Sequence, residues 1–358
     1  MTERNTILNA FVKLGTYLGD FCENGNSNNT GFELLNDAVA KAERQNGWFT
    51  RDNILFALRQ WAEALTTKNL ENWLETYDIP QGRSSKTISI VMAGNIPLVG
   101  FHDFLSVLIT GNKVLCKLSS NDKNLLPALS AFLMKEEPLL KNRILFAASK
   151  IEDFDAVIAT GSNNTARYFE YYFKDHPHII RKNRTSVAVL SGNETKEDLE
   201  ALGEDIFRYF GLGCRNVSKL FVPKGYDLDT FFNAMFKYKS VINHHKYANN
   251  YDYNKAVYLM SEFQIFDNGF IILKKDQGLH SPIATLFYEE YGTVKALGQK
   301  LNEKNDDLQC VVSQMNLENE INFGQTQKPK LDDYADGIDT VDFLLKLGLG
   351  VKNLDGGR

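Results

Sequence analysis

Val91-Met92-Ala93-Gly94-Asn95-Ile96-Pro97-Leu98 runs from an apolar, strand-forming stretch through a glycine into a segment opened by proline. Proline suits the first turn of a helix, so the spacing predicts a strand over 87–93, a turn at Gly94-Asn95 and a helix entered near Pro97. That is how a parallel strand hands over to its covering helix, and it puts Asn95 at the carboxyl edge of the sheet, where such folds bind ligands. The pattern repeats on both sides. Short apolar runs at 113–118, 143–148, 156–160 and 186–190 alternate with helical stretches, which predicts a parallel sheet covered on both faces. After a helix over 196–210, strands at 218–222, 256–260, 269–273, 283–288 and 308–312 make a second α/β lobe. Upstream, helices are expected over 5–21, 32–44 and 51–65, the last carrying Ile54, Leu58, Trp61 and Leu65 at helical spacing, before Gln81-Gly82-Arg83-Ser84-Ser85 breaks the pattern.

With 358 residues the chain can hold two ordinary domains. Its 43% hydrophobic and 24% charged residues are those of a water-soluble globular protein, and a formal net charge of -5 argues against nucleic acid or an anionic membrane as the main partner. No apolar run reaches the length of a membrane span, and Met1-Thr2-Glu3-Arg4-Asn5 lacks the basic-then-apolar order of a secretory signal, so the reading is cytoplasmic. Cys22, Cys116, Cys214 and Cys310 are widely spaced without a CxxC pair, which disfavours a disulfide framework or a structural zinc site, and no metal is expected. The sequons Asn163-Asn164-Thr165 and Asn216-Val217-Ser218 are read as coincidence. Leu349–Arg358 is polar and glycine-rich, the composition of a frayed end.

Chemistry concentrates in four places. Thr195-Lys196-Glu197-Asp198 opens a helix with a capping-box pattern, and Leu199, Leu202, Ile206 and Phe210 follow along its inner face to Gly211-Leu212-Gly213-Cys214-Arg215-Asn216. The glycines let the chain turn, the Cys214 amide can donate towards whatever bonds to the sulfur, and Arg215 and Lys219 nearby could favour the thiolate. A nucleophile and a small buried hydrophobe are both open readings of Cys214. Asn95 can donate to an oxyanion or cap a helix. Lys117, at the end of the 113–118 strand and just before Ser119, can meet a ribose or phosphate or lie in solvent. Thr160-Gly161-Ser162-Asn163 is a strand, a glycine turn and a helix start, which can receive a pyrophosphate on backbone amides and a hydroxyl. His244 and His245 are candidate acid–base groups or solvated residues; His176 and His178 read as loop; Phe207, Tyr209 and Phe210 could line an acyl tunnel or pack the core.

In this order the segments resemble the aldehyde dehydrogenase superfamily, and within it the short acyl-CoA reductases related to the fatty-acid reductase of bacterial luminescence. The resemblance runs from about Lys86 to Phe343 and includes the closing Asp336-Gly337-Ile338-Asp339-Thr340-Val341-Asp342-Phe343-Leu344. It implies a Rossmann-type cofactor lobe plus a second α/β catalytic lobe. N-terminal helices and NAD(P) binding fall in 1–190, the cysteine lobe in 191–318, and a C-terminal segment, 319–358, packs back on the core. It also implies roles: Cys214 as nucleophile, Asn95 as oxyanion donor, and Lys117, Ser119, Gly161 and Ser162 as cofactor contacts.

Two departures from the family pattern shape the expected reaction. Ile180-Arg181-Lys182-Asn183-Arg184-Thr185-Ser186 has no carboxylate where aldehyde dehydrogenases carry the glutamate that activates hydrolytic water. Gln277-Gly278-Leu279-His280-Ser281-Pro282-Ile283 has Gly278 where a ribose-binding glutamate would stand. A thioacyl-enzyme shielded from water suits reduction of a fatty acyl-CoA to the aldehyde, with NADPH, or NADH, as donor and coenzyme A as part of the substrate. Competing expectations are an aldehyde dehydrogenase or acyl-phosphate reductase on the same scaffold, and a nucleotide-binding scaffold subunit for an acyl-transfer partner. An acyl-transfer or aldehyde-consuming protein partner and a homo-oligomer are compatible with each.

Overall fold

The computed structural model describes residues 2–24, 30–80 and 84–347; the breaking cluster at 81–83 and the expected frayed end at 349–358 lie outside the described residues. The chain divides into two units, one made of the residues up to Lys182 together with those from Lys330 onward, the other of Asn183–Pro329.

The first unit opens with α1 (Glu3–Asn24), α2 (Glu33–Gln45), α3 (Arg51–Ala64) and α4 (Thr67–Leu74). Ile7, Phe11, Leu14, Leu18 and Phe21 recur every three or four residues along α1 and are all buried, so helical period and burial coincide. The sequence reading has no α4. It begins directly after Leu65, and its start is set by Thr66, whose side chain accepts from the Asn69 amide. There follow β1 (Thr87–Val91), α5 (Phe101–Ile109), β2 (Lys113–Lys117), α6 (Leu125–Glu136), β3 (Ile144–Phe146), β4 (Ala156–Thr160), α7 (Asn163–Tyr172) and β5 (His178–Arg181). The strands form a five-stranded sheet in the order β3-β2-β1-β4-β5, every pair parallel. From β1 the chain builds outward to β3 and then returns across β1 to β4, so the strand order reverses between β1 and β4. In doubly wound folds that switch point opens a crevice at the carboxyl ends. α1 packs against α5, with the Phe11 ring T-shaped against those of Phe101 and Phe104.

The second unit contains β6 (Thr185–Val189), α8 (Lys196–Phe207), β7 (Val217–Pro223), α9 (Leu228–Met235), α10 (His245–Met260), β8 (Ile265–Asp267), β9 (Ile272–Lys275), β10 (Thr285–Tyr291), α11 (Val294–Asn302), β11 (Leu308–Val312) and β12 (Glu320–Ile321). Its sheet runs β12-β11-β6-β7-β10-β9-β8, parallel except for the β8–β9 pair. β6 belongs to this sheet, whereas the sequence reading groups 186–190 with the first lobe. The strand expected over 256–260 is instead the last turn of α10, with Leu259 and Met260 facing solvent. Tyr247, Tyr251 and Asn254, buried at spacings of four and three, carry that helix, and a five-residue apolar run has no period long enough to reveal it.

The chain then returns to the first unit with α12 (Thr340–Lys346). Trp73 Nε1 donates to Tyr334 Oη at 2.7 Å and Tyr77 Oη to Asp339 Oδ2 at 2.6 Å, fastening the returning segment to α4 and the residues after it. Beneath α12, Arg181 pairs with Asp103 of α5 and donates to Thr340 Oγ1 at 2.9 Å.

Candidate active site

Asn95 is exposed in the loop that leaves β1. The helix expected from Pro97 starts only at Phe101, with Gly100 at its N-cap. Leu98 holds φ at 61°, a left-handed conformation that no right-handed helix admits, and its amide donates to Asp122 Oδ2 at 2.8 Å. Asn95 is therefore not the cap of α5. Burial pushes the Asp122 carboxyl up to about 6. The loop is packed tightly: a Cβ on Gly94 would lie 2.5 Å from Ser119 Oγ, and Asn46 Nδ2 reaches the Gly94 carbonyl at 3.4 Å. Ser119 thus builds the floor of the Asn95 loop, its hydroxyl also accepting from the Asn121 amide at 3.2 Å.

Lys117 closes β2 and donates from Nζ to the Ser149 carbonyl at 2.5 Å, which directs its ammonium along the carboxyl edge. Ser162 caps α7, its Oγ accepting from the Thr165 amide at 3.3 Å and lying 2.9 Å from Thr165 Oγ1. A side chain at Gly161 would meet Thr165 at 3.0 Å and Phe169 at 3.1 Å, and the Gly161 amide donates to the Arg181 carbonyl at 3.3 Å. Asn95, Lys117, Ser119, Gly161 and Ser162, scattered over the sequence, thus sit at the carboxyl ends of three adjacent strands, β2, β1 and β4, on both sides of the switch point. A helix N-terminus directly after a glycine turn is an anion-receiving element.

Cys214 belongs to the second unit and is exposed, which removes the buried-hydrophobe reading. α8 leads to it. Thr195 accepts from the Asp198 amide and Asp198 accepts from the Thr195 amide, so the expected capping box is present. The helix ends at Phe207, three residues before the end expected at Phe210, because Tyr209 and Phe210 take φ of 53° and 58° ahead of Gly211 at 78°. Two aromatic residues in left-handed conformation cost about 1–3 kcal/mol each. Asn216 holds the turn in place. It is buried, its Nδ2 donates to the carbonyls of Asp205 at 3.1 Å, Ile206 at 3.4 Å and Arg208 at 2.7 Å, and its Oδ1 accepts from the Gly213 amide at 2.8 Å. Ser186 Oγ donates to the Cys214 carbonyl at 2.9 Å. Behind the helix, Asp205 accepts from the amides of Gly324 at 2.6 Å and Thr326 at 3.0 Å and from Thr326 Oγ1 at 2.8 Å; burial still pushes its carboxyl up to about 6.

Of the two cations expected to favour a thiolate, Lys219 is held elsewhere. Lys219 is fully buried, with Nζ on Glu289 Oε2 at 2.8 Å and the Asp276 carbonyl at 2.9 Å, and Arg215 Nη1 lies 3.5 Å from Cys310 Sγ. Phe207 and Tyr209 are buried, Phe207 stacking on Tyr238, so they are core residues. Phe210 stacks on His244 at 4.2 Å between ring centres, and His244 Nδ1 accepts from the Tyr247 amide at 3.4 Å as the cap of α10. His245 is exposed, His176 packs against Phe154, and His178 opens β5. Gly278 donates its amide to Asp276 Oδ1 at 2.8 Å. Among the described residues no three His, Cys, Asp or Glu groups converge as metal ligands, and no helix is long and apolar enough to cross a membrane.

Sequence reasoning missed Asn216, Asp205 and Asp122. Only Asn216 carried a signal, as a polar residue two positions after the candidate nucleophile.

Two α/β units, one with a doubly wound parallel sheet and one with a mostly parallel sheet whose central strand follows the turn of the exposed cysteine, share the fold of the aldehyde dehydrogenases. Aldehyde dehydrogenase 21 from Physcomitrella patens, solved with succinate, superposes with a TM-score of 0.67 over 97% of this chain and 84% of that one at 11% identity. An indole-3-acetaldehyde dehydrogenase solved with NAD+ gives 0.62 over 87% and 72% at 12% identity. Within this class, residues 30–237, more than half of the chain, match the family described as acyl-CoA reductase (LuxC), and the chain belongs to that family. It is 26% identical over 231 residues to a long-chain acyl-protein thioester reductase of Aliivibrio fischeri, a match covering 58% of this chain and 47% of that protein. A long-chain acyl-protein thioester reductase 2 of Photobacterium leiognathi is 26% identical over 203 residues, 51% and 41% of the two chains. The matches span less than half the length of these relatives.

Proposed function

We propose that the chain reduces a long-chain acyl thioester to the aldehyde through a thioacyl group on Cys214. The observation that carries the reading is the setting of Cys214: exposed, on a strained turn held by buried hydrogen bonds, in a chain of the acyl-CoA reductase (LuxC) family. The Cys214 thiolate attacks the thioester carbonyl, and the tetrahedral oxyanion collapses to expel the donor thiol as thiolate. Asn95 and the Cys214 amide are assigned to that oxyanion. A nicotinamide cofactor, NADPH with NADH as the alternative, supplies hydride when bound. Gly161, Ser162 and the start of α7 would take its pyrophosphate, with Lys117 at the ribose and Ser119 shaping the loop between them. The packing supports this fit, since Thr165 and Phe169 close on Gly161 so that a Cβ there would meet them at 3.0 and 3.1 Å and push them aside by a few tenths of an ångström. After reduction the carbon–sulfur bond breaks, the aldehyde leaves and Cys214 returns to thiolate. No carboxylate occupies 180–186, so a hydrolytic base of the aldehyde dehydrogenase kind is missing from that stretch and the thioacyl group survives to be reduced. The donor thiol is either coenzyme A, as in the family's description, or an acylated protein, as in the names of the two relatives, and in the second case the chain works with an acyl-carrying partner.

Intact-protein mass spectrometry tests this. Purified chain is mixed with acyl-CoAs of increasing length, and separately with an acylated carrier protein, without reduced cofactor. An acyl mass shift on the parent and none on Cys214→Ala is expected, lost with release of aldehyde when NADPH or NADH is added. No adduct from either donor class would overturn the reading.

A further inference from the structure

The nucleophile turn contains a residue whose bonding exceeds what ending a helix requires. Asn216 is only 2% exposed and directs both ends of its amide at the segment that carries Cys214. The two Nδ2 protons are shared among the carbonyls of 205, 206 and 208, at the helix end where carbonyls lack intrahelical partners. Oδ1 takes the Gly213 amide, and the Asn216 amide itself donates back to the Gly213 carbonyl at 3.0 Å. The cross-link closes a loop over residues 209–213, three of which hold left-handed backbone: Tyr209, Phe210 and Gly211. Tyrosine and phenylalanine do not adopt that conformation unless something over-determines it, and a glycine in either place would do so without strain. Cys214 lies between the two anchored residues, Gly213 and Asn216, and its carbonyl is held from the other side by Ser186. Because Oδ1 occupies the Gly213 amide, that amide is not an oxyanion donor. The amide assigned to the oxyanion is the next one along, on Cys214.

We infer that Asn216 is a positioning residue for the Cys214 reaction: its side chain fixes the strained turn so that the Cys214 sulfur and amide face the acyl carbonyl together. The inference rests on the proposed role of Cys214. It also accounts for the sequon at Asn216-Val217-Ser218, whose asparagine is consumed inside the fold and is inaccessible to glycan transfer.

The test uses full-length Asn216→Ala and Asn216→Asp. The second is isosteric and keeps the acceptor for Gly213 while losing the donors to the carbonyls, so it carries the test if the alanine variant does not fold. Three quantities are compared with the parent: amide hydrogen exchange over 209–214, the rate of Cys214 acylation by a long-chain acyl-CoA, and the rate of Cys214 alkylation by iodoacetamide, read on the Cys214 peptide. Exchange over 209–214 is expected to rise at least tenfold while β6 and β7 stay protected. Acylation is expected to slow about 100-fold, the cost of displacing a reacting group by roughly an ångström. Alkylation develops no oxyanion and should stay within about threefold. Acylation within threefold of the parent, unchanged exchange over 209–214, or acylation and alkylation falling by the same factor would each overturn the inference. If the parent itself is not acylated, the proposed function fails instead, and the exchange comparison still decides whether Asn216 holds the turn.

Discussion

Replacing Asp103 with leucine strands a buried cation. The side chains of Asp103 and Arg181 are 4% and 6% exposed, and the guanidinium also donates to Thr340 Oγ1. Removing the carboxylate leaves that buried charge without the Asp103 counter-charge, and deleting one member of a buried pair costs about 3–5 kcal/mol. The double variant Asp103→Leu/Arg181→Met removes both charges at similar volume, and buried pairs replaced in this way are often neutral. The expected pattern is a large loss for the single substitution and recovery of most of it in the double. All three tryptophans, Trp48, Trp61 and Trp73, belong to the first unit, so urea unfolding followed by tryptophan fluorescence reports that unit selectively. With a urea slope of about 2–3 kcal/mol per molar, the single variant's midpoint should fall by roughly 1–2.5 M. The Arg181 carbonyl accepts the Gly161 amide, so the same variant should also loosen the candidate pyrophosphate turn, read as faster exchange of the Gly161 amide. A single variant within 1 kcal/mol of the parent, or a double no better than the single, would refute the reasoning.

Gly161→Ala brings a Cβ to 3.0 Å from Thr165 and should weaken cofactor binding by about tenfold or more, with acylation of Cys214 unchanged when no cofactor is present; fluorescence titration with NADPH and the mass-shift assay separate the two. Asn95→Ala should lower the acylation rate by about 100- to 1,000-fold, the range for losing one oxyanion donor, while the NADPH dissociation constant stays put; equal losses in both would place Asn95 in cofactor binding instead. Asp122 and Asp205 are both pushed up to about 6 in the fold, above the value near 4 of an unfolded aspartate. A raised carboxyl binds its proton more tightly when folded, so the stability it lends is fully present below about pH 4 and is lost as pH rises through 6, roughly 3 kcal/mol for each group. Asp205→Asn should flatten its share of that slope in urea titrations at pH 4, 5, 6 and 7, and an unchanged slope would show that Asp205 titrates normally.

The strands over 87–91, 113–117, 156–160 and 308–312 were legible because each is a short apolar run bounded by turn residues, and the 195–198 capping box because its partners are three residues apart. The turn that carries Cys214 was legible for the same reason: glycines at 211 and 213 beside the cysteine announce a sharp bend within four residues. Where the sequence reading failed, a distant or competing partner decided. α8 stops at Phe207 rather than Phe210 because Asn216 reaches back across the turn to its carbonyls. The 96–100 segment stays out of the helix because Asp122, from beyond β2, takes the Leu98 amide. Lys219 looked available to Cys214, being five residues away, but it lies on a strand buried between elements, and its charge is met by Glu289, seventy residues on. A one-dimensional reading sees proximity along the chain. It cannot see which polar group the fold strips of water, and a group without water must bond to whatever the packing brings near it. The sequence by itself determined the α/β class, the helical and strand periods, and the candidate residues at 95, 117, 119, 161, 162 and 214. The tertiary structure alone decided that the first five share one carboxyl edge, and that the turn beneath Cys214 is held by Asn216, because both depend on the order of strands in a sheet and on buried bonds that no local pattern encodes.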